Sequence, residues 1–174
     1  DLYYGEVKTP KGFEIDRNAI KHSIIKSWIT AKRKSNNEQA YAYRDYEVEF
    51  SQPLQWFQDY IRDHYNGDFS KNLIPRNTFG NVYKENESSP TRNHLEAVDL
   101  RNSPDYTLIY SVDVEEGSSE VVIEYDDNRR AGRTWHVPLK NNHFIMFPAS
   151  QKYMISPNNS NKTNIILTIT YEYI

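Results

Sequence analysis

The stretch that decides the fold reads HFIMFPASQKYMISP over His143–Pro157. An apolar run ends there at Pro148, and a short polar connector leads to a second, shorter apolar segment, YMI. After an Asn- and Ser-rich turn over Asn158–Lys162, the run Asn164–Tyr173 is dense in β-branched and aromatic residues. Runs of this length and composition, bounded by Pro and Asn, are typical of strands. This block therefore predicts strand, turn, short strand, turn, strand.

The chain before this block continues the same pattern back to Pro75. Short segments with strand character alternate with polar turns at nearly regular spacing, which favours an antiparallel sandwich or barrel. Two further strands are predicted nearer the N-terminus. The predicted strands are Leu2–Lys8, Tyr41–Phe50, Arg76–Lys84, Tyr106–Val114, Val121–Tyr125, Arg133–Leu139, His143–Phe147, Tyr153–Ile155 and Asn164–Tyr173.

Two helices are predicted ahead of the main run of strands, over residues 16–34 and 53–66. Asp16 is a suitable N-cap for the first, Pro53 suits the first turn of the second, and Gly67 would end the second as a C-cap. Apolar residues at helical spacing give each helix one buried stripe. These stripes are Ile20, Ile24 and Trp28 in the first helix, and Leu54, Phe57 and Ile61 in the second. The sequence thus predicts one mainly β domain of the α+β class, with both helices on one face of the β core at about 76–174.

Composition narrows the classes of function. The chain has 174 residues, of which 37% are apolar and 14% aromatic, so it is long enough for one domain with a substantial core. A net charge of −3 gives no general attraction to nucleic acid or to an anionic membrane. The absence of Cys excludes disulfides, thiolate metal sites and cysteine nucleophiles. No apolar segment approaches the roughly 18 residues of a membrane span, and no signal peptide is visible, so a cytoplasmic protein is expected.

The motif His94-Leu95-Glu96 is the main candidate for a chemical site. An H-x-D/E pair at the end of a strand places an imidazole and a carboxylate on the same side, two residues apart. Both can bind one metal, and a later His completes a facial triad that leaves positions on Fe(II) open for a chelating cosubstrate and O₂. Because 5 His and 24 acidic residues also produce such pairs by chance, an exposed His in a polar loop is the competing interpretation.

A set of segments in chain order carries a resemblance to a known family. They are Asn81-Val82-Tyr83, His94-Leu95-Glu96, Tyr106–Val112, Val121–Asp126, Phe147-Pro148-Ala149-Ser150 and Ile155-Ser156-Pro157-Asn158. This order resembles the 2-oxoglutarate/Fe(II)-dependent oxygenases, especially the small members encoded by phages and bacteria. In those proteins an N-x-Y strand, an H-x-D motif, two strands and a closing F-P-S block with a Pro-Asn turn follow one another. The resemblance covers roughly residues 76 to 174.

The resemblance implies a double-stranded β-helix, or jelly roll, and for an active member a hydroxylation that uses Fe(II) and 2-oxoglutarate. It implies iron at His94 and Glu96, with Tyr153 at the position of the third ligand. It also implies a cosubstrate pocket, lined by Tyr83 or Tyr110 and closed near the far carboxylate by Lys162, Thr163 and Asn164.

Two positions depart from the family pattern. The family has a His where Tyr153 stands, and an Arg near Thr163 and Asn164, neither of which is basic. Tyr is a poor neutral ligand for Fe(II), because binding as phenolate requires the loss of a proton with a pKa of about 10. Three interpretations stay open: the fold without its iron chemistry, an altered metal set of His94, Glu96 and His136, or a likeness to jelly rolls in general.

Two functions from different classes follow. One is an oxygenase-like protein, acting on a small-molecule or protein substrate if it is active and impaired if the two departures remove its ligands. The other is a non-enzymatic jelly-roll domain for binding or assembly, of viral origin and located in a host cytoplasm. In that case tyrosines of the two terminal strands would stack across adjacent strands, and this Tyr-rich edge would form a homo-oligomer. The tyrosines are Tyr3, Tyr4, Tyr171 and Tyr173.

Overall fold

Two antiparallel sheets and two helices form the fold in the part of the chain that the structure describes. That structure is a computed structural model, which describes residues 2–34, 43–69, 72–128 and 131–174. The helices are α1 (Arg17–Arg33) and α2 (Gln52–Phe69). The strands are β1 (Tyr3–Glu6), β2 (Tyr46–Glu47), β3 (Leu73–Tyr83), β4 (Tyr106–Asp113), β5 (Glu120–Asn128), β6 (Ala131–Pro138), β7 (His143–Pro148), β8 (Lys152–Ile155) and β9 (Asn164–Tyr173).

The larger sheet has the strand order β1-β7-β4-β9-β3-β2, and the smaller sheet has the order β6-β5-β8. One face of the larger sheet packs with both helices in one buried cluster, and its other face packs with the smaller sheet in a second cluster. This arrangement confirms the prediction of a mainly β fold in which both helices pack on one face of a sheet. In the described residues, no helix is both long enough and apolar enough to cross a membrane.

The side chains of β9 show how the two faces are divided. Ile165, Leu167 and Ile169 pack with the helices, whereas Ile166 packs between the two sheets. Successive residues of a strand point to opposite faces, so Thr168 also faces the space between the sheets. Burial on both faces explains why this strand is apolar along most of its length.

The helices use the apolar stripes that the sequence predicts. Asp16 caps α1, because its carboxylate accepts a hydrogen bond from the Ala19 N–H at 3.3 Å. Ile20 and Ile24 are buried beneath α1. Trp28 packs at the margin of the same cluster, which leaves its ring within reach of the Lys32 ammonium, 4.9 Å from the ring centroid. In α2 the predicted stripe Leu54, Phe57 and Ile61 is buried.

Several bounds differ from the predicted ones, and three of the differences concern α2, β2 and β3. The helix α2 runs to Phe69, past Gly67. The strand predicted from Tyr41 is reduced to β2, and residues 41 and 42 lie outside the described ranges. Backbone groups at the end of β2 and just after it bond to serines of α1. The Ser27 hydroxyl donates to the Glu47 carbonyl at 2.8 Å, and the Ser23 hydroxyl accepts from the Glu49 N–H at 2.8 Å.

The third difference lies at the start of β3, which begins at Leu73 rather than Arg76. The prediction began this strand after Pro75, and Pro has no N–H to donate within a sheet. The structure accommodates this residue with a shift in register between Pro75 and Asn77 in the pairing with β9. A bulge is one of the few places where a strand tolerates Pro.

The terminal tyrosines do not lie on adjacent strands. β7 and β4 separate β1 from β9 in the larger sheet. Tyr3 instead contacts Tyr106, with ring centroids 6.4 Å apart, and Tyr106 contacts Tyr173 at 5.9 Å. Both contacts are edge-to-face, and they connect the terminal strands through Tyr106 on β4, a strand whose place between them could not be seen in the sequence.

Gly80 provides a test of the packing of α1 on the larger sheet. A Cβ added at Gly80 would lie 2.5–2.7 Å from three side-chain carbons of Ile24, so the whole side chain would have to move. Because the site is fully packed, we expect Gly80→Ala to lower the free energy of unfolding by about 1–3 kcal/mol. Urea unfolding measures it, and Gly5→Ala is the control, since its Cβ would meet Phe144 at an ordinary 3.6 Å. Equal effects of the two substitutions would contradict this account of the packing.

Candidate functional site

A backbone bridge brings the predicted motif to β8. The Arg92 N–H donates to the Tyr153 carbonyl at 2.9 Å, and the Tyr153 N–H donates to the Arg92 carbonyl at 2.9 Å. Two residues later the His94 N–H donates to the Ala149 carbonyl at 3.0 Å. Because residues two apart in an extended segment share a face, the bridge places the side chains of Arg92 and His94 beside Tyr153.

His94 and Tyr153 form a close hydrogen-bonded pair. The His94 Nε2 and Tyr153 Oη atoms are 2.6 Å apart, and the two rings stack with centroids 5.5 Å apart. Tyr153 is buried, with 1% of its surface exposed, and the Phe147 ring packs against it at 5.2 Å. The structure thus joins two of the residues that the family resemblance singled out, although they are 59 positions apart in the chain.

Arg92 supports this pair from the other side. Its Nε donates to the Tyr153 hydroxyl at 3.3 Å, and its Nη1 donates to both carboxylate oxygens of Asp45 at 3.1 Å. The guanidinium lies 5.3 Å from the Phe79 ring centroid, within cation–π range. Asn81 completes the network, since its Nδ2 donates to Asp45 Oδ1 at 2.9 Å.

Burial and the Arg92 charge set the protonation of the pair. An Arg side chain can only donate, so the Tyr153 oxygen accepts from Arg92, and the direction of its hydrogen bond with His94 Nε2 follows the tautomer of the imidazole. Burial, and after it the Arg92 charge, lowers the pKa of His94 to about 4, against a smaller opposing effect of Asp45. Burial raises the pKa of Tyr153 even though Arg92 opposes it. At neutral pH the site therefore contains a neutral phenol and a neutral imidazole, with the Arg92–Asp45 pair beside them.

Glu96 does not join His94. The Leu95 N–H donates to Asn93 Oδ1 at 3.2 Å and the Glu96 N–H donates to Ser103 Oγ at 2.8 Å, so the chain turns outward after His94. The Glu96 side chain is exposed. Across the ranges that the structure describes, no three His, Asp or Glu side chains are grouped closely enough to hold a metal ion.

His136, considered as an alternative ligand, lies elsewhere. It is exposed on β6, where its Nδ1 is 3.4 Å from Glu120 Oε1. It pairs with Val122, whereas Tyr153 pairs with Ile123. Because neighbouring residues of β5 point to opposite faces, His136 and Tyr153 are on opposite faces of the smaller sheet.

The two tyrosines expected at a cosubstrate pocket are on opposite faces of the larger sheet. Tyr83 is buried between the sheets. Tyr110 faces the helices, where its ring is 4.2 Å from that of Phe57 and its hydroxyl donates to Asn142 Oδ1 at 2.7 Å. The alternation along β3 and β4 sets these directions, so only Tyr83 lies in the same cluster as Tyr153.

The residues expected near a cosubstrate carboxylate are engaged with other partners. Asn164 lies opposite Tyr83 in the β3–β9 pairing, but its Oδ1 accepts from the Glu115 N–H at 2.9 Å and its Nδ2 donates to Ser118 Oγ at 2.8 Å. Lys162 is half exposed, and its Nζ is 3.7 Å from Asp113 and 3.8 Å from Glu115. Thr163 is half buried between the two.

Sequence reasoning missed three members of the network: Arg92, Asp45 and Asn81. Arg92 had a local signal, because it precedes His94 by two positions and so shares its face in an extended segment. Asp45 had none, since 47 positions separate it from Arg92. Asn81 was noted as part of an N-x-Y pattern, but nothing in the sequence connected it with Asp45.

Asp45 offers a test of the network's contribution to stability. Replacing Asp45 with Ala leaves Arg92, whose side chain is 24% exposed, without this carboxylate. Asp45 itself is 40% exposed and therefore partly screened by solvent, so we expect a loss of only about 1–2 kcal/mol in the free energy of unfolding. Chemical denaturation measures the loss.

The matched control is Glu49→Ala. Glu49 pairs with Lys26 at 3.3 Å, but both side chains are about 70% exposed (71% and 68%). Such a pair contributes little, so the expected change is within about 0.5 kcal/mol. If Asp45→Ala were no more destabilising than this control, the network would not be holding the site together.

Comparisons with known proteins extend these observations. No protein-family model matches the chain, and the search of curated proteins also found no match. Solved structures do match. A prolyl-4-hydroxylase from Pseudomonas putida has a TM-score of 0.64 at 9% identity, over 99% of this chain and 92% of that one. The viral collagen prolyl hydroxylase of Paramecium bursaria Chlorella virus-1, in complex with 2OG, has a TM-score of 0.63 at 12% identity, over 99% and 97%.

A third similar structure is SnoK, a non-heme α-ketoglutarate-dependent carbocyclase from nogalamycin biosynthesis. Its TM-score is 0.66 at 10% identity, over 98% of this chain and 78% of that one. At these identities the likeness concerns the fold alone, and the chain shares its fold with these three structures.

Proposed function

We propose that this chain is an oxygenase-like double-stranded β-helix domain that has given up iron chemistry and serves in binding or assembly. The observation that carries the proposal is the 2.6 Å contact between Tyr153 Oη and His94 Nε2. In this arrangement the nitrogen that an iron would need is already engaged in a hydrogen bond.

The donor set around His94 does not suit Fe(II). A metal ligand must offer an available lone pair. The residue beside His94 is Tyr153, a buried phenol whose raised pKa opposes the loss of the proton that binding as phenolate requires. The nearest charge is a cation, since Arg92 Nε lies 3.3 Å from the same hydroxyl. The carboxylate of the motif, on Glu96, is exposed. A metal would have to displace the Tyr153 proton beside a guanidinium and recruit Glu96 from solvent.

The cosubstrate side supports the same proposal. The 2-oxoglutarate dianion needs a cation at its far carboxylate, and the inward-facing residue at that place is Asn164, whose amide is bonded to Glu115 and Ser118. The space between the sheets is instead lined by a cluster of buried side chains that includes Tyr83, Phe147 and Tyr153. The fold is thus kept while its centre acts as a core.

Thermal unfolding in the presence of Fe(II) or Mn(II) and 2-oxoglutarate tests the proposal. A ligand at 100 times its Kd would stabilise the native state by about 2.7 kcal/mol, and the melting temperature would rise visibly. We expect no rise at millimolar ligand, and the same result for His94→Ala after correction for its own stability. The P. putida prolyl-4-hydroxylase serves as a positive control for the assay. A ligand-dependent rise that His94→Ala abolishes would overturn the proposal.

The assembly part of the proposal has its own test. Among the described residues β1 is one of the two edge strands of the larger sheet. Its Tyr4 is 47% exposed, and the Tyr4 ring lies 5.8 Å from that of His143. An open edge strand with an aromatic side chain is a ready surface for a second copy. We expect concentration-dependent self-association in sedimentation, weakened by Tyr4→Lys and unaffected by Lys8→Ala. A strictly monomeric protein would count against homo-oligomer formation.

A further inference from the structure

Two buried threonine hydroxyls on the larger sheet have no hydrogen-bond partner in the part of the chain that the structure describes. They are the Oγ1 atoms of Thr107 on β4 and Thr168 on β9, and both side chains are completely buried. Their neighbours Leu108 and Leu167 pack with the helices, so both threonines face the space between the two sheets.

The pairing register places each threonine opposite a phenylalanine whose ring contacts the His94–Tyr153 pair. Thr168 lies opposite Phe79, whose ring is 5.7 Å from that of His94. Thr107 lies opposite Phe147, whose ring is 5.2 Å from that of Tyr153. One wall of the inter-sheet space therefore carries two threonine hydroxyls, and the facing wall carries the hydrogen-bonded pair.

A neighbouring threonine shows what a satisfied hydroxyl looks like here. Thr170 lies on the same face, opposite Thr107, and its Oγ1 accepts from the Asn77 N–H at 3.1 Å. Asn81, on the same face of β3, also has a polar atom without a hydrogen-bond partner. Its Nδ2 donates to Arg44 and Asp45, but its Oδ1 accepts nothing among the described residues. Three unpartnered polar atoms thus belong to one inner surface.

We propose that bound water occupies the space between the sheets and satisfies Thr107, Thr168 and Asn81. Buried polar groups that lack a protein partner are normally bonded to ordered water, and globular proteins hold about one buried water per 27 residues. Water molecules can donate to the amide oxygen and to either hydroxyl oxygen, and they can accept from the two hydroxyls, which matches the chemistry of these groups. The site takes a small neutral hydrogen-bonding molecule, since no unpaired charge lines this surface in the described residues.

The sign of a stability change tests the proposal. Val has nearly the shape of Thr, so Thr107→Val/Thr168→Val removes both hydroxyls without changing the packing. If water is bound, the double variant loses hydrogen bonds and its melting temperature falls, by roughly 2–4 °C for each threonine. If the hydroxyls are dry, their removal relieves two unsatisfied groups and the melting temperature stays the same or rises, which would overturn the proposal.

Thr170→Val is the control, because its hydroxyl bonds to a protein N–H and its loss lowers the melting temperature in either case. A crystal structure of the unmodified protein gives a second, independent readout should the double variant fail to fold. Ordered density within hydrogen-bonding distance of Thr107 Oγ1 and Thr168 Oγ1 is expected. An empty inter-sheet space at high resolution would also overturn the proposal.

Discussion

Tyr153→Ala is expected to lower the free energy of unfolding by about 3–5 kcal/mol, as removal of a fully buried aromatic side chain from a packed core typically does. The Tyr153 ring packs between those of His94 and Phe147, and its hydroxyl is the meeting point of His94 and Arg92. The substitution would leave a cavity and also deprive a partly buried guanidinium and an imidazole of their shared partner. Urea denaturation measures the loss.

Tyr153→Phe separates the two contributions. It keeps the ring and removes only the hydroxyl, so the cavity term disappears while His94 Nε2 and Arg92 Nε each lose one hydrogen bond. We expect a smaller loss, about 1–3 kcal/mol. A Phe variant as stable as the unmodified protein would mean that the hydrogen bonds contribute nothing and that Tyr153 is held by packing alone.

The second large effect is expected on acidification. The ordinary pKa of His is 6.5, and that of His94 in the folded protein is about 4. The unfolded chain therefore binds more protons between these values, and stability rises with pH across this window. The contribution of His94 is complete above about pH 6.5 and is lost as the pH falls towards 4. From pH 7 to pH 5 we expect a loss of about 2 kcal/mol in the free energy of unfolding.

Comparison with a variant that lacks His94 isolates the contribution of His94 to the pH dependence of stability. The groups that face His94 are Tyr153, Arg92 and, behind Arg92, Asp45. The pKa of Asp113 is lowered, with Lys21 overcoming the opposing effect of burial, so its contribution is lost only in more acidic solution. His94→Gln should therefore lose markedly less stability between pH 7 and pH 5 than the unmodified protein. Equal losses in the two proteins would show that His94 is not protected from protonation.

Much of the fold follows from local pattern. The closing block predicts β7, β8 and β9 with nearly their observed bounds, because apolar runs between Pro and Asn turns leave little choice. The prediction of a long strand around β2 was wrong for a physical reason. Whether an extended segment joins a sheet or bonds to a helix depends on distant groups, here the hydroxyls of Ser23 and Ser27. Likewise, the placement of β7 and β4 between β1 and β9 is a property of topology, which no local window contains.

The candidate site was predictable in part. The family pattern put His94 and Tyr153 at related positions, and the structure places them in contact. The direction of Glu96 was not predictable, since it depends on the turn at Asn93 and the bond to Ser103. The role of Arg92 depends on Asp45, which the chain brings to it from an unrelated segment. Long-range polar pairs of this kind leave little periodicity in a sequence, so they were missed.

In the proposed function, the Tyr153–His94 pair leaves no ligand position for an iron ion. Electron paramagnetic resonance of Mn(II), titrated into the protein without oxygen and with 2-oxoglutarate present, tests it most directly, because free and bound Mn(II) give distinct signals. We expect all added Mn(II) to stay free at millimolar concentrations. Binding of one Mn(II) per chain that depends on 2-oxoglutarate and disappears in His94→Ala would contradict it.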